Sequence, residues 1–260
     1  MNELAGDDII RSPTNSTLKR IRSLRLRRTR ESERAFVVEG VRAVEDGLKA
    51  GGRAQVILLR GDADWRPSNS SGEVPIRRVV PQIFDELAET ETPQPILAVF
   101  DFPRLIPETS LAPLFLVVDG VRDPGNLGTL LRSAAAAGAT TAVMAPGTVD
   151  PYNGKTVRAG MGAHFRIPIL SLDESLRNTI IASCPIRVLA IASAELPYDR
   201  ISLSRGTAII IGSEAHGPSN FGRSLATCEV RIPLENGVES LNAGVAGSVM
   251  LFEAARQRRR

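Results

Sequence analysis

The chain has 260 residues, room for one large domain or two small ones, and 43% of them are hydrophobic, an ordinary share for a protein that buries a core. Aromatic residues make up only 4%, so aliphatic side chains must fill that core, and Cys184 and Cys228 are too few for a disulfide framework or a zinc site. The net charge is +3, the acidic amino terminus MNELAGDDII has no signal-peptide core, and no apolar run approaches a membrane span; the expectation is a cytoplasmic protein with no metal and no membrane partner.

Residues 1–13 read as a disordered tail. Asn15-Ser16-Thr17 then supplies caps for a helix whose apolar positions Leu18, Ile21 and Leu24 recur at helical spacing. Lys19, Arg20, Arg22, Arg25, Arg27, Arg28 and Arg30 fall in the same stretch with no acid among them, and are expected on the opposite face. Clustered guanidinium groups suit phosphate, because their fork of donors matches its oxygens; a solvated helix face is the plainer alternative. Strands are predicted at 36–38, 56–59, 75–80 and 96–100, with helices at 41–48 and 83–88. The result is a small α/β domain over 14–100. Pro103, Pro107 and Pro113 mark a linker at 101–112.

The second domain, 113–260, alternates more regularly. Strands are expected at 114–118, 141–145, 167–170, 187–191, 207–211 and 229–232, and helices at 127–137, 173–182, 218–226 and 241–256. This pattern predicts a mostly parallel sheet covered on both faces. Three glycine-bearing loops follow strands: DGVRDPGNLGTLLR at 119–132, GSEAHGP at 212–218, and the stretch from Ile232 to Gly244. Loops at the carboxyl ends of parallel strands are where ligands bind, and glycine lets the backbone approach them.

Two nucleotide signatures fail. Gly120, Gly125 and Gly128 do not form the dinucleotide fingerprint. Gly147 and Gly154-Lys155-Thr156 enclose six residues where a phosphate-binding loop needs four.

The three loops together resemble the motifs of the SpoU/TrmH family of RNA ribose 2′-O-methyltransferases, members of the SPOUT superfamily. The intervening VDPYNGKTVRAGMGAHFRIPI is similar as well, so the likeness spans essentially the whole second half. In the first half, FVVEGVRAVEDGLKAG after a basic helix resembles, more weakly, the L30e-like substrate-binding domain of many members. The resemblance implies a carboxyl-terminal α/β domain with a deep trefoil knot, S-adenosylmethionine as methyl donor, RNA as substrate, and a homodimer whose active site is completed across the interface. It further implies ribosomal RNA, since two-domain members resemble ribosomal RNA modifiers more than the tRNA enzymes. A tRNA methyltransferase and a non-catalytic RNA-binding protein of the same fold are the alternatives.

By motif position, backbone at Gly212, Ile232 and Leu241 is implied to line the cofactor pocket, and Arg132 to be the catalytic arginine. A guanidinium keeps its proton and is a poor base, so stabilising the developing alkoxide and gripping a phosphate is its expected task. Asn126 is implied to orient the ribose or a partner, Glu214 to hold Arg132 or Asn126, and Ser240 and Asn242 to position nucleotide, Arg132 or cofactor. Plainer readings are a dipole-stabilised acid for Glu214 and a helix cap for Ser240 and Asn242. RNA contacts are expected from Arg22, Arg25 and Arg28 in the first domain and from Arg158 in the second. His216 and His164 are the only histidines, and His216 is a minor candidate for the base.

Overall fold

The computed structural model describes residues 9–66, 74–88, 92–107, 110–214 and 217–259. The chain divides into two units, Met1–Pro103 with Tyr152–Arg158, and Arg104–Pro151 with Ala159–Arg260. The expected contiguous boundary therefore needs amending. A segment from the second half, Tyr152–Arg158, packs with the first unit, where the Tyr152 ring stacks on Phe102 at 3.7 Å.

The first unit runs β1 (Ile9–Ile10), α1 (Ser16–Ser23), α2 (Arg27–Glu33), β2 (Ala35–Glu39), α3 (Val41–Lys49), β3 (Ala54–Arg60), β4 (Ile76–Val79), α4 (Pro81–Leu87) and β5 (Ile96–Asp101). Its mixed sheet has the order β1-β4-β3-β5-β2, with β5 antiparallel to both neighbours. Asn15 caps α1 as expected, its side chain accepting from Thr17 N at 2.9 Å, and Leu18, Ile21 and Leu24 are buried. Two expectations are corrected. Residues 9–10 are not tail: they pair in parallel with β4, and Ile10 is buried, since two apolar β-branched residues complete that edge. Nor does the linker begin at 101. Asp101 ends β5, and the buried Phe102 donates its N–H to Arg34 O at 2.7 Å.

The second unit runs β6 (Leu114–Asp119), α5 (Pro124–Ala137), β7 (Thr141–Met144), α6 (Gly154–Gly160, begun in the first unit), β8 (Ile169–Ser171), α7 (Glu174–Ser183), β9 (Ile186–Ala190), β10 (Thr207–Gly212), α8 (Asn220–Leu225), β11 (Cys228–Val230) and α9 (Ala243–Arg258). All six strands are parallel, in the order β11-β9-β10-β6-β7-β8. Alternate residues of each strand face opposite layers. Leu114, Leu116 and Val118 pack with Leu127, Leu130, Met250 and Leu251 of α5 and α9, while Phe115 and Val117 pack with Ile180 and Leu225 of α7 and α8.

The α5–α9 contact is made close by small residues. A Cβ on Gly247 would overlap Leu130 Cδ2, one on Gly244 would lie 3.2 Å from Thr129 Cβ, and Ser133 and Ser248 share a hydrogen bond of 2.7 Å. At the opposite end of α9, the Arg258 guanidinium donates to the carbonyls of Ala112, Leu203 and Arg205 at 2.7, 2.9 and 2.6 Å. Both cysteines are free thiols, Cys184 buried and Cys228 half-buried. Burial pushes Cys184 up to about 11, so it is held as an inert thiol. Among the described residues no helix is long and apolar enough to cross a membrane, and no His/Cys/Asp/Glu cluster could hold a metal.

Candidate active site

The site forms where β6, β9, β10 and β11 end. β6 delivers Asp119, and the chain turns at Gly120, whose φ of +75° favours glycine and whose N–H donates to Thr148 Oγ1 at 3.1 Å. Asp123 then caps α5, accepting from Asn126 N at 2.8 Å, and Pro124 opens the helix where its missing N–H has no role. This fixes Asn126 in the first turn.

The Asn126 side chain donates to Glu214 Oε1 at 2.5 Å. The same oxygen accepts from Asn242 Nδ2 at 3.0 Å and from Ala243 N at 2.8 Å, while Asn242 Nδ2 also reaches Asn126 Oδ1 at 2.8 Å. Asn242 caps α9 as well, accepting from Val245 N at 3.2 Å. One carboxylate thus gathers the first turn of α5 and the start of α9. The close α5–α9 packing makes this possible, because a larger residue at 244 or 247 would part the two helices.

Beside this cluster lies a cavity of about 230 Å³, walled by Gly212, Glu214, Ile232, Ser240, Leu241 and the strand ends at Ala190 and Val230. Gly212 has to be glycine: a Cβ there would lie 2.7 Å from Pro218 N, where the following loop folds back. The wall combines apolar side chains, unencumbered backbone and one carboxylate. That donor set fits a nucleoside carrying a cationic chain: the apolar wall suits a flat base, backbone groups read its edge, and the acid favours positive charge.

The structure brings Asn126, Glu214 and Asn242 into contact and places Gly212, Ile232, Ser240 and Leu241 on the cavity wall. Glu214 holds Asn126. Arg132 lies elsewhere, exposed on α5, with no hydrogen bond or ion pair among the described residues. His216 and Ala215 lie outside the described residues. His164 is buried, its Nε2 2.7 Å from Pro151 O, and burial lowers its pKa to about 4. It is held neutral, away from solvent.

The expected RNA contacts sort unequally. Arg28 is exposed with no partner among the described residues, as is Lys19. Arg25 spends its guanidinium on α4, donating to Leu87 O at 2.9 Å, and Arg22 donates to Pro13 O at 2.6 Å. Arg30, expected on the open basic face, is buried and donates to Leu24 O and Arg25 O at 2.6 and 2.7 Å, bracing the α1–α2 turn. Arg158 is half-buried, 3.8 Å from the buried Glu39 carboxylate of its own unit.

Sequence reasoning overlooked Asp119, Ser219 and Thr148. The one signal for them was an acid ending an apolar strand, LFLVVD, where burial demands partners.

Residues 113–252 match the SpoU rRNA methylase family, and residues 15–98 match the MRM3-like substrate binding domain. The 23S rRNA (guanosine(2553)-2′-O)-methyltransferase RlmP of Bacillus subtilis is 32% identical over 94% of this chain and 97% of its own length. A crystal structure of an RNA 2′-O ribose methyltransferase superposes with a TM-score of 0.81 at 31% identity, covering 97% of this chain and all of the other. The SpoU methyltransferase AviRb of Streptomyces viridochromogenes, solved with AdoMet, gives 0.84 at 26% identity over 94% of this chain and 98% of its own.

Proposed function

This chain belongs to the SpoU rRNA methylase family, and from that premise we propose how its residues divide the work. It is an S-adenosylmethionine-dependent rRNA 2′-O-ribose methyltransferase. The tRNA and non-catalytic readings give way to this one. The observation that carries the assignment of residues is the Glu214 carboxylate, which ties Asn126 and Asn242 together at the mouth of an apolar cavity.

When bound, S-adenosylmethionine supplies an electrophilic methyl carbon on a sulfonium. Gly212, Ile232 and Leu241 wall its site and exclude water, leaving the base edge to backbone groups. Glu214 anchors Asn126, whose amide orients the ribose, and Ser240 and Asn242 fix the approach of the nucleotide. Arg132 stabilises the negative charge that develops on the 2′-oxygen as its proton passes to solvent water at the mouth of the cavity, and grips the adjacent phosphate.

The homodimer is part of this reading. Arg132 has no partner of its own among the described residues, and on α9 Val245 and Phe252 remain 47% and 46% exposed. A second copy laid on α5 and α9 would cover these apolar groups and receive Arg132 near its own cavity. The trefoil knot belongs here too, supported by β10 entering between β9 and β6 before the chain returns to α5 as α9. In the first unit, Arg28 and Lys19, without partners among the described residues, are the proposed grip on RNA, while Arg158 is committed to Glu39 until RNA competes for it. Two free thiols agree with a cytoplasmic setting.

Calorimetry with S-adenosylmethionine, followed by mapping of ribose 2′-O-methyl positions in total RNA with and without the protein, tests the whole. Cofactor binding together with one protein-dependent methylated ribose in ribosomal RNA is the expected outcome. Methylation confined to tRNA would overturn it.

A further inference from the structure

We infer that Asp119 is a positioning residue for the cofactor wall, and that its charge tilts the cavity toward a cationic methyl donor over the neutral thioether left after transfer. The inference rests on reading the cavity as the S-adenosylmethionine site.

Asp119 closes β6 and is only 2% exposed. Its register partner on β10 is Gly212, a residue of the cavity wall. Neighbouring strands lie about 4.8 Å apart, so the acid stands one strand behind that wall. Both of its oxygens accept hydrogen bonds from a single residue: Oδ2 from Ser219 N at 2.7 Å and Oδ1 from Ser219 Oγ at 2.8 Å. Ser219 in turn caps α8, accepting from Gly222 N at 3.3 Å, and Gly222 is glycine because a Cβ there would overlap Asp119 Oδ2.

The two residues before Ser219, Gly217 and Pro218, line the cavity. The loop that leaves β10 at Gly212 therefore folds back over that glycine and is pinned at its far end to Asp119. A bridge between Ser213 and Gly217 closes the loop on its own strand, and the Ser219–Asp119 pair ties it across to the end of β6. The acid and the serine are 100 residues apart, and their contact, together with the Ser213–Gly217 bridge, holds Gly217 and Pro218 on the cavity wall.

The charge has a second consequence. No lysine or arginine among the described residues pairs with Asp119, and buried charge is felt further than exposed charge because little solvent screens it. The donor carries positive charge at sulfur, and the product does not. An uncompensated anion behind the wall favours the first over the second, holding donor and releasing spent product.

Two variants of the full-length protein separate the roles, read as dissociation constants for S-adenosylmethionine and S-adenosylhomocysteine by calorimetry without RNA. Asp119→Asn keeps an acceptor for Ser219 N and removes the charge; donor affinity should fall about 5- to 10-fold while product affinity stays within about twofold. Ser219→Ala keeps the charge and removes a hydroxyl donor and helix cap; both affinities should fall together by about 3- to 10-fold, and Ser219→Thr should restore them. An unchanged donor-to-product ratio in Asp119→Asn would overturn the electrostatic claim. Wild-type affinities in Ser219→Ala would overturn the positioning claim. If Asp119→Asn does not fold, Asp119→Ser, which removes the charge without adding volume, gives the ratio. Failure of the wild-type chain to bind either ligand would instead refute the cofactor reading itself.

Discussion

Asn242 donates to Asn126 Oδ1 at 2.8 Å across 116 residues of sequence, joining the cap of the last helix to the first turn of α5. Both amides also donate to Glu214 Oε1, so the three form a closed set. Glu214→Gln leaves one amide facing two others, and its oxygen is a weaker acceptor. We expect a loss of about 1–3 kcal/mol in stability, read as a lowered denaturant midpoint, together with a reduced turnover number.

Arg132→Ala should lower the turnover number by about 10²- to 10³-fold while leaving S-adenosylmethionine affinity intact, because the guanidinium lies off the cavity wall. Turnover at the wild-type rate would remove Arg132 from the mechanism. If the site is completed by a second copy, mixing Arg132→Ala with Glu214→Ala protein should recover part of the activity that each lacks alone.

Gly247→Ala tests the helix packing that makes the site possible. The added methyl would overlap Leu130 Cδ2 and lie 3.2 Å from Ile211 Cγ1, with an expected destabilisation of about 1–3 kcal/mol. Thermal melting measures it. Gly244→Ala, whose nearest neighbours stand at 3.1 and 3.2 Å, should be the milder of the two.

His164 makes the stability pH-dependent. Its folded pKa is lowered from 6.5 to about 4 by burial, so between those values the unfolded chain binds a proton that the folded chain refuses. Stability is therefore full above about pH 6.5, declines as pH falls, and has dropped by about 3 kcal/mol once pH reaches the folded value. His164→Gln keeps a donor for Pro151 O without titrating. Its denaturant midpoint should be flatter than the wild type's between pH 4 and 6.5.

The basic stretch should respond unevenly. Replacing Lys19 and Arg28 is expected to weaken RNA binding and to reduce the slope of log K against log salt by about 0.7–0.9 for each phosphate that the protein no longer neutralises. Arg25→Ala should act mainly on stability, by about 1 kcal/mol, since it removes a cap from the carbonyls ending α4. Filter binding across a salt series and thermal melting together distinguish the two effects.

The parts of the fold legible in the sequence were those with a period or a breaker. The strand at Leu114–Val118 follows from its continuous apolar run, a local effect; α5, expected from residue 127, begins three residues earlier at Pro124, where the Asp123 cap starts it ahead of the apolar period. α2 escaped because its buried residue is an arginine; hydrophobic periodicity cannot see a guanidinium folded inward onto the Leu24 and Arg25 carbonyls. β1 escaped because two residues carry no pattern, and α6 because glycine stands at both its ends. In the site, motif order led to Asn126, Glu214 and Asn242 and left Glu214 holding either Arg132 or Asn126. That the partner is Asn126 and not Arg132, and that Asp119 meets Ser219, depend on strand order and helix approach, which no local pattern encodes.

The place of β10 between β9 and β6 has a consequence for how the protein is made. On the nascent chain β6 gains β7 early, but its other edge stays unpaired until β10 is synthesised, a delay of several seconds at ordinary translation rates. Through that interval an apolar strand with open backbone donors and acceptors is exposed to neighbouring chains. Asn242 and Ala243 arrive later still. Slowed translation between β6 and β10 should therefore lower the yield of native protein by aggregation, whereas a pause within α9 finds every strand of the sheet already made.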